Sequence, residues 1–116
     1  MKIYGIKTCG TVKKAVKWFK ENGIEYQMID LREMPPSKDE IKHYHELSGL
    51  PIKRFLNTSG KVYRNMKLKD SYQNMSLDEV YQLLSDNPML IKRPLVVDRN
   101  YVITGFKDEA YQKQWK

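Results

Sequence analysis

Tyr4-Gly5-Ile6-Lys7-Thr8-Cys9-Gly10-Thr11-Val12-Lys13-Lys14 carries a short apolar strand into the first turn of a helix, with a cysteine at the seam. The first turn of a helix holds unpaired N–H groups and the positive end of the helix dipole. Both favour a thiolate over a thiol. Lys7, Lys13 and Lys14 add charge of the same sign. A lone cysteine is by default a small buried hydrophobe, but Gly10-Thr11 suits a tight turn with close backbone approach, which a buried filler would not require. Cys9 therefore reads as a nucleophile.

Outward from this seam, Lys2 to Ile6 forms a strand and about Gly10 to Asn22 a helix. Val12, Ala15, Val16 and Phe19 fall at i, i+3, i+4 and i+7, an inward stripe. Lys13, Lys17 and Lys20 line the far side, and Asn22-Gly23 stops the helix. Ile24 to Leu31 reads as a second strand, with Ile24, Tyr26 and Met28 alternating against Glu25 and Gln27. Strand, helix and strand in about thirty residues make a βαβ unit with parallel strands.

Pro35-Pro36 breaks the chain. Ser37-Lys38-Asp39-Glu40 is a capping box opening a helix to about Ser48-Gly49, and Ser76-Leu77-Asp78-Glu79 repeats the pattern. Leu77, Val80, Leu83 and Leu84 give the later helix its inward face, and Asn87-Pro88 stops it. Short helical pieces are expected after Pro51 and through Val62 to Met66, with a turn at Thr58-Ser59-Gly60. Ser37 to Asn87 thus reads as helical with no strand. Pro94-Leu95-Val96-Val97 and Tyr101-Val102-Ile103, separated by Asp98-Arg99-Asn100, form a hairpin. Lys107 to Trp115 closes the chain as a helix with Ala110, Tyr111 and Trp115 inward. The expectation is one α/β domain over residues 1–116, with a helical insertion at about 37–87.

The chain's 116 residues can bury a core without staples. One cysteine excludes an internal disulfide framework and a cysteine-rich zinc site, and it suits a reducing cytosol. No apolar run approaches a membrane span, and the N-terminus lacks a signal peptide's apolar stretch. A cytoplasmic protein without a membrane partner is expected. The net charge of +7 comes from 21 Lys+Arg against 14 Asp+Glu. It is scattered and mostly lysine, as on a solvated surface, and names no partner alone.

A βαβ unit followed by ββα is the plan of the thioredoxin/glutaredoxin fold, with a mixed sheet of four strands or fewer. Cys9-Gly10-Thr11 opening the first helix, the helical insertion, Arg93-Pro94, and Gly105-Phe106-Lys107-Asp108-Glu109 resemble the arsenate reductase (ArsC)/Spx/YffB family. The stretch around Cys9 is most similar to the YffB-like branch. The resemblance implies a redox cysteine at Cys9 facing a cis-proline at Pro94. It also implies Arg93 as a second catalytic group, aimed into the same pocket. The backbone N–H groups of Gly10, Thr11 and Val12, with the Thr11 hydroxyl, would cradle an oxyanion or a sulfur's negative charge. A planar guanidinium suits an oxyanion or the carboxylate of a thiol tripeptide.

A dithiol mechanism needs a cysteine three residues beyond Cys9, where Val12 stands, so disulfide exchange would be monothiol. No bound cofactor or metal is expected. The cosubstrate would be glutathione or another small thiol, or the reductant a thiol-bearing protein. Arsenate reductases of this family place three arginines about their cysteine, and the resemblance retains only Arg93. The other two places fall near Gly105 and within Asn57 to Ser59, with Arg54 and Arg64 nearby in sequence. Losing charge-assisted hydrogen bonds at about 1.5–3 kcal/mol each argues against arsenate as the substrate.

His43 and His45 stand two apart on a helix, face different sides and read as surface residues rather than metal ligands. The basic run Lys61 to Lys69 reads as a solvated face, so no direct nucleic-acid contact is expected. The two function classes are a monomeric thiol-dependent reductase and, by resemblance to Spx, a non-enzymatic regulator binding the RNA polymerase α-subunit.

Overall fold

Strand β1 (Lys2–Gly5) lies inside a mixed four-stranded sheet of order β2-β1-β3-β4 in the computed structural model, which describes residues 1–58, 60–66, 71–99 and 101–116. Helix α1 (Gly10–Glu21) crosses over to β2 (Gln27–Asp30), which pairs in parallel with β1. Helices α2 (Lys38–Ser48), α3 (Lys61–Asn65) and α4 (Leu77–Asp86) follow, joined by 3-10 turns at Ile52–Phe55, Tyr72–Asn74 and Pro88–Leu90. Antiparallel β3 (Leu95–Asp98) and β4 (Tyr101–Thr104) then extend the sheet, and α5 (Asp108–Trp115) ends the chain. This is the expected βαβ, helical stretch and ββα.

Alternate strand residues face opposite sides, and the two sides carry separate cores. Ile3 and Val96 pack with Ala15, Phe19 and Tyr111 beneath α1 and α5. Tyr4, Ile29 and Leu95 pack with Ile41, Tyr44, Val80 and Leu84 beneath α2 and α4. Trp18 joins the first core, with its ring edge-on to Phe19 at 5.4 Å and Tyr111 at 5.5 Å. The α1 stripe is therefore rotated from the expected one: Trp18 is buried and Val16 half-buried, because α5 packs on the Trp18 side.

Some boundaries differ from the sequence expectation for local reasons. The Ile24 N–H donates back to the Phe19 carbonyl at 2.9 Å, so the α1 stop occupies the first residues of the expected second strand. Leu77, at the first position of α4, is 49% exposed, and Tyr81 takes the inward place assigned to it. His43 is exposed, but His45 is a half-buried core-rim residue. Its Nε2 lies 2.8 Å from the Leu50 carbonyl and its Nδ1 2.7 Å from the Tyr81 hydroxyl. A carbonyl only accepts, so Nε2 donates, and in the neutral ring Nδ1 accepts a hydrogen bond from the Tyr81 hydroxyl. Ser59, Lys67–Asp70 and Asn100 lie outside the described residues, and with them parts of the expected turns and basic run.

Candidate active site

The N-terminus of α1 is left chemically open. Cys9 is its N-cap residue, no side chain caps the first turn, and that turn contains no acid. The Cys9 N–H donates to the Ile6 carbonyl at 3.0 Å, and the Cys9 carbonyl accepts from Lys13 at 3.0 Å. The side chain is thus held at the helix mouth, partly exposed. Gly10 has no positive φ, and a Cβ there would meet nothing within 4 Å, so the close backbone approach expected of it is not required. Gly5 is the tight position instead: a Cβ there would lie 2.7 Å from a Val12 methyl. Seating α1 so near β1 fixes the height of Cys9 above the sheet.

Cys9 and Thr11 line a cleft of about 410 Å³. Its wall also holds Arg54, Lys92, Arg93 and Lys107, and no carboxylate is among its described lining residues. Residues far apart in sequence meet here by backbone pairing. Leu56 and Ile91 form an isolated antiparallel bridge, flanked by Lys92 N–H to Phe55 carbonyl at 2.9 Å and Asn57 N–H to Leu90 carbonyl at 2.7 Å. That clamp sets Arg54 and Asn57 beside Lys92 and Arg93. The Thr104 hydroxyl, donating to the Arg54 carbonyl at 2.6 Å, ties the same segment to the end of β4.

The cations of this wall have no counter-charge among the described residues, since none of the ion pairs there involves them. The buried Arg54 Nε has no hydrogen-bond partner there, and an Arg93 nitrogen donates only to the Met89 sulfur at 3.5 Å, a weak acceptor. Burial first, then the charges of Arg54 and Lys107, pulls the Lys92 ammonium below its ordinary pKa. A cation pushed toward neutrality in this way gains from any anion that enters.

Of the predicted site residues, Cys9, Thr11 and Arg93 share this cleft, whereas Gly10, Val12 and Pro94 do not line it. Val12 is buried against Gly5, so only its backbone is available. Pro94 is buried behind a cis Arg93–Pro94 bond, and its carbonyl accepts from Gly105 N–H at 2.8 Å. Gly105, near which the resemblance placed one missing arginine, and Asn57, the first residue of the stretch Asn57 to Ser59 where it placed the other, line the cleft. Arg93 is not alone, however. A Cβ on Gly105, whose φ is +77, would come 3.3 Å from Lys92 Cε, so the missing side chain leaves the space that Lys92 occupies. Lys92 and Lys107 are the additions that sequence reasoning missed, and Arg54, noted there only as nearby in sequence, lines the wall. Arg64 is exposed and outside the wall.

A mixed four-stranded sheet with a cysteine at the open mouth of its first helix, beside a cleft lined by basic residues, is a thioredoxin-like arrangement. The chain belongs to the ArsC family, whose model matches residues 4–114. It is 46% identical to the YusI protein of Bacillus subtilis over 97% of this chain and 95% of that one. Identity is 26% to the global transcriptional regulator Spx 2 of Bacillus anthracis, over 96% of this chain and 83% of the regulator. The crystal structure of a putative ArsC family related protein from Bacteroides fragilis superposes with a TM-score of 0.93 at 42% identity, covering 97% of this chain and 94% of that one. The structure of a YffB protein gives a TM-score of 0.82 at 27% identity, over 97% and 96% of the two chains.

Proposed function

We propose that this chain is a monothiol, glutaredoxin-like reductase in which Cys9 exchanges disulfides with a small anionic thiol such as glutathione. The observation that carries the reading is the pairing of a cysteine at an uncapped helix mouth with a cleft walled by Arg54, Lys92, Arg93 and Lys107, with no acid among its described lining residues. Cys9 as thiolate attacks the small thiol's sulfur in a mixed disulfide. The Cys9–sulfur bond forms, the substrate sulfur leaves as a thiolate, and it takes a proton from water. A second small-thiol anion attacks the sulfur bound to Cys9, releasing the small-thiol disulfide and restoring Cys9. The substrate sulfur is reduced and the small thiol oxidised. Arg93 and the free N–H groups of Gly10, Thr11 and Val12 hold negative charge near the exchanging sulfurs, while Arg54 and Lys92 hold the thiol's carboxylates. The protein works as a cytoplasmic monomer with no bound cofactor.

The test is turnover of the glutathione–cysteine mixed disulfide with added glutathione. Wild type should produce glutathione disulfide well above the uncatalysed rate, and Cys9→Ser should not. Equal rates for the two would overturn the reading. Reduction of arsenate by the wild type at a comparable rate would move the assignment to an oxyanion substrate.

The similarity to Spx 2 favours one other reading, a regulator that binds the RNA polymerase α-subunit through the helical stretch and the surface about Arg93. Binding of the purified α-subunit, retained in Cys9→Ser, with no thiol turnover, would decide for it.

A further inference from the structure

On the other side of α1 from the cysteine cleft lies a second concavity that no step at Cys9 uses. It is a groove of about 520 Å³ between α1 and β2, floored by Val12, Val16, Tyr26 and Met28. Val16, Tyr26 and Met28 are only half-buried, so the fold leaves this apolar floor partly open. β2 is the sheet edge at this side, paired only to β1.

The rim sets the chemistry of the occupant. Lys13, Lys17 and Lys20 stand along it, all exposed, at i, i+4 and i+7 of α1. At 1.5 Å per residue this is a row of cations about 10 Å long. The carboxylate in the wall is Glu21, which reaches only Lys17, at 3.8 Å and in solvent. An amphiphile with one anionic head could satisfy one end of such a row and would leave the rest unanswered. A partner helix with carboxylates recurring every three or four residues matches the whole row, while its apolar stripe covers the floor.

We infer that the α1–β2 groove is a docking site for an acidic amphipathic helix of a partner protein. Docking here leaves the Cys9 cleft open, since the two concavities share no lining residue. The partner can therefore be held whether or not the thiol is engaged.

Fluorescence anisotropy on the whole chain tests this with a labelled helical peptide of about four turns, leucines at i, i+3, i+4 and i+7 and glutamates flanking them. Its counterpart carries lysines in place of the glutamates. The glutamate peptide should bind saturably and the lysine peptide roughly ten-fold more weakly or not at all. Lys17→Glu/Lys20→Glu should weaken the glutamate peptide about ten-fold, and Val16→Asn several-fold, with melting curves confirming that both fold. Lys113→Glu, at an exposed position of α5, and Cys9→Ser should leave affinity unchanged. Equal weakening by Lys113→Glu would overturn the inference in favour of diffuse charge. Displacement of the peptide by dodecanoate, with the same lysine dependence, would overturn it in favour of an amphiphile. Failure of the glutamate peptide to saturate would overturn it outright.

Discussion

Three helices of this chain begin in two different ways. Helices α2 and α4 are closed by reciprocal capping boxes. The Ser37 hydroxyl accepts from Glu40 N–H at 3.1 Å and the Glu40 carboxylate from Ser37 N–H at 3.0 Å, and Ser76 and Glu79 do the same at 3.1 and 3.1 Å. Each of those first turns also carries two acids, Asp39 with Glu40 and Asp78 with Glu79. Helix α1 has none of this, only Cys9 at the cap and a glycine and a threonine after it. The same chain that spends side chains on closing two helix mouths leaves the third unsatisfied, facing cations. An uncapped first turn costs about 1 kcal/mol of stability. In return, its N–H groups and dipole remain available to a thiolate or an incoming anion.

The strongest way to break this contrast is to cap α1. Cys9→Ser supplies the hydroxyl that α2 and α4 already have. Its turnover of mixed disulfides should fall by at least ~10³-fold, because no nucleophile remains. Its stability should rise by about 0.5–1 kcal/mol in urea unfolding as the cap closes. A variant that loses both turnover and stability would mean that the cysteine side chain already caps the helix. The contrast between open and closed mouths would then fail.

The cations come next. Arg54→Ala or Arg93→Ala should each raise KM for a carboxylate-bearing thiol about 10- to 100-fold, the worth of one or two charge-assisted hydrogen bonds. The effect on an uncharged disulfide should be much smaller. Steady-state kinetics with both substrates separates the two outcomes. A uniform fall in kcat for both would make the arginines structural and leave the anion without a seat. At intermediate size, Gly105→Ala places a side chain at a φ of +77 and 3.3 Å from Lys92 Cε. Thermal or urea unfolding should show a loss of about 1–2 kcal/mol, with Lys92 displaced.

How far this was legible follows from the range of each interaction. Cys9 could be read because strand, turn and helix adjoin within ten residues, and the two capping boxes because their partners are three apart. The parallel β1–β2 pair and the β3–β4 hairpin could be read from the βαβ and hairpin patterns, whereas the β1–β3 pairing that joins them into one sheet could not. The cationic wall could not be read in this way. Arg54 reaches the cleft through a bridge between Leu56 and Ile91 and a hydrogen bond from Thr104, contacts with no sequence period. The available signal was the recurrence of adjacent basic pairs, Lys53-Arg54 and Lys92-Arg93, each ending or starting within two residues of that bridge. Counting only arginines at expected places hid it, since Gly105 shows as a loss until Lys92 is seen in the space.

The smallest effect concerns the closed mouths themselves. The Ser37 N–H donating to Glu40 holds that carboxyl below its ordinary pKa of 4.5. A group whose folded pKa is depressed stabilises the fold above its unfolded value and ceases to do so as pH falls through the folded one. The α2 cap should therefore contribute fully at neutral pH and fade as the solution is acidified below about 4.5. Glu40→Gln keeps both capping hydrogen bonds, since its amide oxygen still accepts from the Ser37 N–H, and removes the charge. It should cost about 0.5 kcal/mol at pH 7, with the difference from wild type shrinking toward zero in acid. Urea unfolding of both proteins across that range measures it. A gap that stays constant into acid would assign the cap to hydrogen bonding alone, and the dipole would lose its part in separating the closed helices from α1.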